Sequence, residues 1–170
     1  MKTLYTEQDI AARIDAMAET LAHDHENGFV LAPVLTGAFM FAADLMRALS
    51  AKGADPEIDF VQLSSYGGAR ASSGVVKLLK DFSVDLTGKP VVIVDDVLDT
   101  GRSLHFAAAM AVERGASAAK ICVLVRKATG RSVDVDADYV GFEAGADDFL
   151  IGYGMDDGGR GRGLPFIGAL

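Results

Sequence analysis

Cysteine is almost absent from this chain: of 170 residues only Cys122 is one. A single cysteine excludes a disulfide framework and a cysteine-based zinc site. Its setting, ICVLV, predicts a buried and inert thiol, because apolar surroundings disfavour the thiolate. Long apolar runs are missing too: nothing reaches the roughly 18 uninterrupted residues of a helical membrane span. The opening stretch, MKTLYTEQDI, turns acidic where a secretory leader would turn apolar, so a cytoplasmic protein with no membrane partner is expected. Basic residues are in deficit. Sixteen Lys and Arg stand against 24 Asp and Glu, and the net charge of −8 argues against broad nucleic-acid binding. Small anionic ligands stay possible, since the local field of a cleft can oppose the overall charge. The three histidines, His23, His25 and His105, show neither HExxH spacing nor cysteine partners, and read as solvated groups on helix surfaces. There is no GxxxxGKS or GxxxxGKT loop, and no GxGxxG follows a strand, which removes the Walker A and dinucleotide-binding readings. No internal repeat or linker divides the chain, so residues 1–170 are expected to form one domain.

What the chain does contain is an alternation of helical and extended patterns. Thr6 precedes a segment with Ile10, Ile14, Met17 and Leu21 on one face, and Asn27-Gly28 closes it, so the spacing predicts an amphipathic helix over 7–26. FVLAPVL at 29–35 reads as a buried strand. After Thr36-Gly37, AFMFAADLMRALSAKG reads as a second helix stopped at Gly53. EIDFVQLSS at 57–65 has strand character and leads into YGGARASSG, a small polar loop expected to be mobile. VVKLL at 75–79 is a short strand, DLTGKP a turn, and VVIVD the next strand. Residues 103–114 make a helix ended by Gly115, AKICVLV is another strand, and DYVGFE and FLIGYG are read as two more. Strands and helices in alternation argue for a mostly parallel sheet covered on both faces. In such sheets ligands bind at the carboxyl ends of the strands.

One stretch concentrates chemistry: VVIVDDVLDTGRSL, residues 91–104. Three carboxylates, Asp95, Asp96 and Asp99, lie within five residues, where their charges repel unless a cation or a set of hydroxyls joins them. With VVIV inside the sheet, Asp95 and Asp96 would emerge at its carboxyl end. The turn Thr100 to Ser103 would then open the next helix, and its free backbone N–H groups and two hydroxyls make a phosphate cradle. Acids facing hydroxyls or a metal ion, beside a phosphate cradle, suit a sugar phosphate.

The stretch resembles the phosphoribosyl-pyrophosphate motif of the type I phosphoribosyltransferases: apolar residues, two acids, two variable residues, then Asp-Thr-Gly. VLTGAFMFAADLMRAL, DFVQLSSYG, LTGKPVVIVDD, DYVGFE, FLIGYGMD and RGLPFIG resemble the hypoxanthine-guanine branch of that family, in family order. The resemblance implies an α/β fold with a mostly parallel twisted sheet flanked by helices and a small hood built from the terminal segments. It implies an enzyme of purine salvage that moves the 5-phosphoribosyl group from phosphoribosyl pyrophosphate to N9 of hypoxanthine or guanine, giving IMP or GMP and pyrophosphate, with Mg2+ as cofactor. Carried onto this chain, Asp95 and Asp96 would meet the ribose hydroxyls and the metal. Asp99 would exchange the proton at purine N7, and Leu98, Asp99, Thr100, Gly101, Arg102 and Ser103 would wrap the 5-phosphate. Lys127 would donate to the purine 6-oxygen, Phe149 would stack on the base, and the backbone at Leu150 would meet its 2-position. Asp156 would bind magnesium and Arg162 would reach the pyrophosphate. Thr36-Gly37 matches the pyrophosphate loop, where the family tends to have a non-proline cis peptide and often Lys before Gly. Thr36 removes that cation, so pyrophosphate binding leans on Arg162 and magnesium. Ser65 and Tyr66 would open the closing loop.

The family forms dimers and tetramers, and the apolar helix around FMFAADLM is a plausible interface as well as an ordinary core-facing helix. Two alternatives stay open at this level. A xanthine-preferring enzyme would share Lys127 and differ at the 2-position. A regulatory RNA-binding relative of the same fold often carries Tyr where Asp99 stands, and needs a basic face that this acidic chain lacks.

Overall fold

The structure is a computed structural model and describes residues 1–65, 75–128 and 135–170. The elements run β1 (Lys2–Tyr5), α1 (Glu7–Asp24), β2 (Val30–Leu35), α2 (Phe39–Ala51), β3 (Glu57–Ile58), β4 (Val61–Ser65) and β5 (Val76–Lys80). They continue with β6 (Pro90–Leu98), α3 (Arg102–Glu113), β7 (Ala118–Lys127), β8 (Tyr139–Ala144), β9 (Leu150–Ile151) and β10 (Ile167–Ala169). The main sheet has seven strands in the order β5-β4-β2-β6-β7-β8, with β3 on the flank of β2. Every pair in it is parallel except β4–β5, which is antiparallel and ends the sheet as a mixed edge.

Central strands covered on both faces should be apolar at every position rather than at alternate ones. VLAP in β2, VVIV in β6 and ICVLV in β7 follow that rule, and up to Leu124 their side chains divide by parity. Leu31, Val92, Val94, Cys122 and Leu124 join the cluster under α1 and α2, whereas Val30, Ala32, Val91, Ile93 and Val123 join the one under α3. α1 buries Ile10, Ile14, Met17 and Leu21, the face read from the sequence. It starts in a reciprocal cap, the Thr6 hydroxyl accepting from the Asp9 N–H while the Asp9 carboxylate accepts from the Thr6 N–H. Cys122 is fully buried, and burial pushes its thiol far above the ordinary range, as its apolar setting implied.

A second sheet, β1-β10-β9, is antiparallel and joins the two termini. Neither β1 nor β10 is apparent from local pattern; each is a strand because the other pairs with it. FLIGYG forms a strand only at Leu150–Ile151 and belongs to this small sheet, while Gly152 makes an isolated antiparallel bridge to Met155. β6 runs on to Leu98, so Asp95 and Asp96 lie within its carboxyl-terminal half, not beyond its end. His25 departs from the solvated reading: it caps α1, is half-buried beside Phe29, and its Nε2 lies 3.2 Å from the Tyr139 hydroxyl. Tyr66 lies outside the described residues, and Ser65 is the last residue of β4.

Candidate active site

Parallel register brings two loops to the same edge. Leu98 of β6 pairs with Arg126 of β7, so the residues that follow, Asp99 and Lys127, come side by side at the carboxyl ends of the two strands. The Lys127 ammonium stands 3.7 Å from Asp99 Oδ2; the lysine side chain is only 14% exposed and the aspartate 51%. A cation set into the wall beside a solvent-facing carboxylate presents a donor and a proton acceptor to one planar ligand. Immediately after Asp99, Gly101 takes φ +75° as the N-cap of α3 and has no side chain to cap it. A left-handed residue is natural for glycine, and it turns the first amides of the helix toward the loop. Thr100 and Ser103 are half-buried in this turn, Leu98 and Gly101 are buried, and Arg102 is exposed.

Asp95 and Asp96 are half-buried at the same end of β6. The Asp96 N–H donates to Asp95 Oδ1 at 2.9 Å and the Val97 N–H to Asp96 Oδ1 at 2.8 Å. Burial raises the Asp95 carboxyl well above the usual carboxylate range, and the charge of Asp96 raises it further. Burial also raises Asp96, opposed in part by hydrogen bonds and by the field of Arg162. The pair is therefore short of compensating charge.

Around Asp96 the chain closes in from two sides. A Cβ placed on Gly37 would fall 2.1 Å from Asp96 Oδ2, and one on Gly154 would fall 2.4 Å from the Gly37 carbonyl oxygen, so only hydrogen fits at either position. The Leu35–Thr36 peptide before Gly37 is cis, as the resemblance implies. From the far side Arg162 donates to the Gly154 carbonyl at 2.5 Å and pairs with Asp156 at 2.6 Å. Acid pair, Gly37 loop and Arg162 are thus gathered at one place, as Asp99 and Lys127 are at another. Phe149 is partly exposed just before β9, its carbonyl accepting the Leu170 N–H at 3.0 Å, and Leu150 is buried opposite Ala169. β4 pairs with β2 up to Leu35, which sets Ser65 on the strand beside the Gly37 loop.

The phosphoribosyl transferase domain model matches residues 1–157. This chain belongs to the phosphoribosyltransferase family. It is 38% identical to the hypoxanthine-guanine phosphoribosyltransferase of Bacillus subtilis (strain 168), over 99% of this chain and 92% of the relative. The corresponding enzyme of Aquifex aeolicus is 40% identical over 98% and 93%. The crystal structure of a hypoxanthine-guanine phosphoribosyltransferase from Bacillus anthracis superposes with a TM-score of 0.91 at 40% identity, covering 100% of this chain and 98% of that one.

Among the described residues no three His, Cys, Asp or Glu side chains are gathered to hold a metal ion. Asp95, Asp96 and Asp156 are therefore not a ready-made ligand set, because Asp156 is taken up by Arg162 and by the Gly159 N–H at 2.6 Å. An all-oxygen, under-neutralised pair such as Asp95 and Asp96 does fit a hard divalent cation that brings its other ligands from water and phosphate. Reading from the sequence missed Gly154, whose backbone closes on the Gly37 carbonyl and accepts from Arg162. The two glycines of FLIGYG were the available signal, since Gly152 and Gly154 take φ +96° and +102° and Tyr153 between them +48°.

Proposed function

We propose that this phosphoribosyltransferase moves the 5-phosphoribosyl group from phosphoribosyl pyrophosphate to N9 of hypoxanthine, and of guanine, giving IMP or GMP and pyrophosphate. The observation that carries this reading is the Asp99–Lys127 pair at the ends of adjacent parallel strands, directly beside the turn that opens α3. This juxtaposition supports a purine donor and a proton acceptor acting next to a phosphate cradle.

In this reading the amides and hydroxyls of residues 98–103 hold the 5-phosphate, and Asp95 and Asp96 accept from the two ribose hydroxyls. As the bond from C1 to the pyrophosphate oxygen loosens, positive charge grows on the ribosyl ring and negative charge on the leaving group. The Thr36-Gly37 loop and Arg162 stabilise the leaving group. Bound magnesium, held by Asp95 and Asp96 together with substrate oxygens, would supply further charge neutralisation there. As N9 attacks, the purine must lose a proton, and the Asp99 carboxylate takes it at N7. Lys127 donates to the 6-oxygen, which an adenine amino group cannot accept. Phe149 stacks on the base and the backbone at Leu150 faces its 2-position. Closure by the loop from Ser65 and Tyr66 would exclude water, which otherwise captures the ribosyl carbon.

No described helix is long and apolar enough to cross a membrane, and residues 1–170 acting as one cytoplasmic catalytic domain, paired through the α2 surface into a dimer or tetramer, complete the proposal. The test is nucleotide formation from phosphoribosyl pyrophosphate and magnesium with hypoxanthine, guanine, xanthine and adenine offered separately. Turnover of hypoxanthine or guanine with adenine inert is expected. A preference for xanthine moves specificity to the 2-position, and a folded protein inert with every base overturns the reading.

A further inference from the structure

We propose that Tyr153 and Asp44 form a positioning pair that sets Arg162 over the pyrophosphate subsite. The inference rests on the functional reading above, and neither Tyr153 nor Asp44 is among the residues that would touch substrate. Tyr153 is 6% exposed and donates its hydroxyl to the Asp44 carboxylate on α2, the helix that follows the Gly37 loop. The tyrosine adopts φ +48°, a left-handed conformation that a residue with a Cβ rarely takes. The hydroxyl bond and the buried ring hold that conformation in place.

The consequence of the turn is local. The Tyr153 N–H donates to the Leu164 carbonyl and the Gly154 N–H to the Arg162 carbonyl, each at 2.9 Å. The Gly154 carbonyl in turn accepts from Arg162 Nη1, and a Cβ added at Gly154 would strike the Gly37 carbonyl. From Asp44 the connection therefore runs through Tyr153 and Gly154 to both the backbone and the guanidinium of Arg162, whose charge reaches Asp96. Thr36 leaves this loop without a lysine cation, so the placement of Arg162 carries more of the pyrophosphate interaction. Asp44 also pairs with Arg47 at 2.8 Å, but that arginine is 76% exposed and the pair lies on the solvent side.

Tyr153→Phe removes the hydroxyl and keeps the ring. Misplacing a binding group by about 1 Å can cost about a hundredfold; loss of one supporting bond is expected to raise the KM for phosphoribosyl pyrophosphate about tenfold. The KM for the purine at saturating phosphoribosyl pyrophosphate should stay within about twofold, since the Asp99–Lys127 side is untouched. Asp44→Asn keeps an oxygen that accepts from Tyr153 and should lose much less than Tyr153→Phe, whereas Arg47→Ala should behave as wild type. Calorimetric titration of inorganic pyrophosphate with magnesium gives a readout independent of turnover. Weaker pyrophosphate binding by Tyr153→Phe at an unchanged purine KM supports the pair. Equal pyrophosphate binding by Tyr153→Phe and wild type overturns it, as does a parallel rise in both KM values. Wild-type protein that binds no pyrophosphate would instead refute the functional reading on which the pair rests.

Discussion

Asp99 and Asp95 are four positions apart, Asp95 within β6 and Asp99 directly after it, and the proposed reaction gives them opposite tasks. Asp99 is half-exposed beside an ammonium, where the proposed reaction has it take a proton and release it. Asp99→Asn should lower turnover about a hundredfold or more, the usual contribution of a positioned proton acceptor, while phosphoribosyl pyrophosphate binds nearly as before. Steady-state kinetics beside direct binding separates the two, and near-normal turnover would remove the residue from the chemistry. Asp95 is the reverse case, a carboxyl whose folded value lies above its ordinary 3.8 because of burial and the Asp96 charge. The folded chain then holds this proton more tightly than the unfolded one, so ionisation costs stability as the pH rises through 3.8 and beyond. Asp95→Asn should raise the melting temperature at neutral pH, the gain vanishing under acid, and should weaken phosphoribosyl pyrophosphate binding. A lower melting temperature at neutral pH would mean that the charge is compensated after all.

At the scale of elements, what could be read in advance was whatever a local pattern encodes. Ile10, Ile14, Met17 and Leu21 announce α1, and uninterrupted VVIV announces a strand buried on both faces. KTLY and IGA announce nothing, because β1 and β10 owe their extended form to each other across the length of the chain. The same division runs through the site. Asp99, Thr100 and Gly101 are neighbours and declare a phosphate turn, whereas the meeting of Gly37, Gly154 and Asp96 depends on three separate elements. The Asp59 network is another joint of this non-local kind. Its buried carboxylate follows β3, accepts the Ser83 N–H at 2.5 Å and the Val84 N–H at 3.1 Å, and pairs with Lys80 of β5 at 3.2 Å. Burial alone would raise this carboxyl, but the hydrogen bonds and Lys80 hold it below 3.8. A lowered folded value means stability that is present above 3.8 and lost as the pH falls through it. Asp59→Ala should cost about 3 kcal/mol at neutral pH, since it leaves buried donors without a partner. In denaturant titrations the gap between variant and wild type should narrow below pH 3.8; a gap independent of pH would assign the loss to packing alone.

On the scale of the whole molecule, the two sheets do different work. The parallel sheet carries Asp95, Asp96, Asp99 and Lys127, all on β6 and β7 or directly after them, while the terminal sheet carries Leu150 and leads into the turns with Asp156 and Arg162. The terminal sheet shares its core with the α1–α2 face of the parallel sheet while α3 packs on the opposite face, so the two faces can be perturbed separately. Ile167 of β10 is wholly buried in the cluster that includes Leu150, Tyr153 and Met155, whereas Met110 of α3 lies in the cluster on the other face of the parallel sheet. Truncating either to alanine should cost about 2–5 kcal/mol, the range for deleting a large core side chain. Their effects on the reaction should differ. Ile167→Ala loosens the sheet that holds Phe149 and Leu150 and should raise the purine KM several-fold at a temperature where the variant is still folded. Met110→Ala should leave that KM unchanged at matched loss of stability. Denaturant midpoints establish the match, and purine KM decides the outcome: equal shifts in the two variants would show that both cores support the site in common, and that the terminal sheet is no separate wall of the purine subsite.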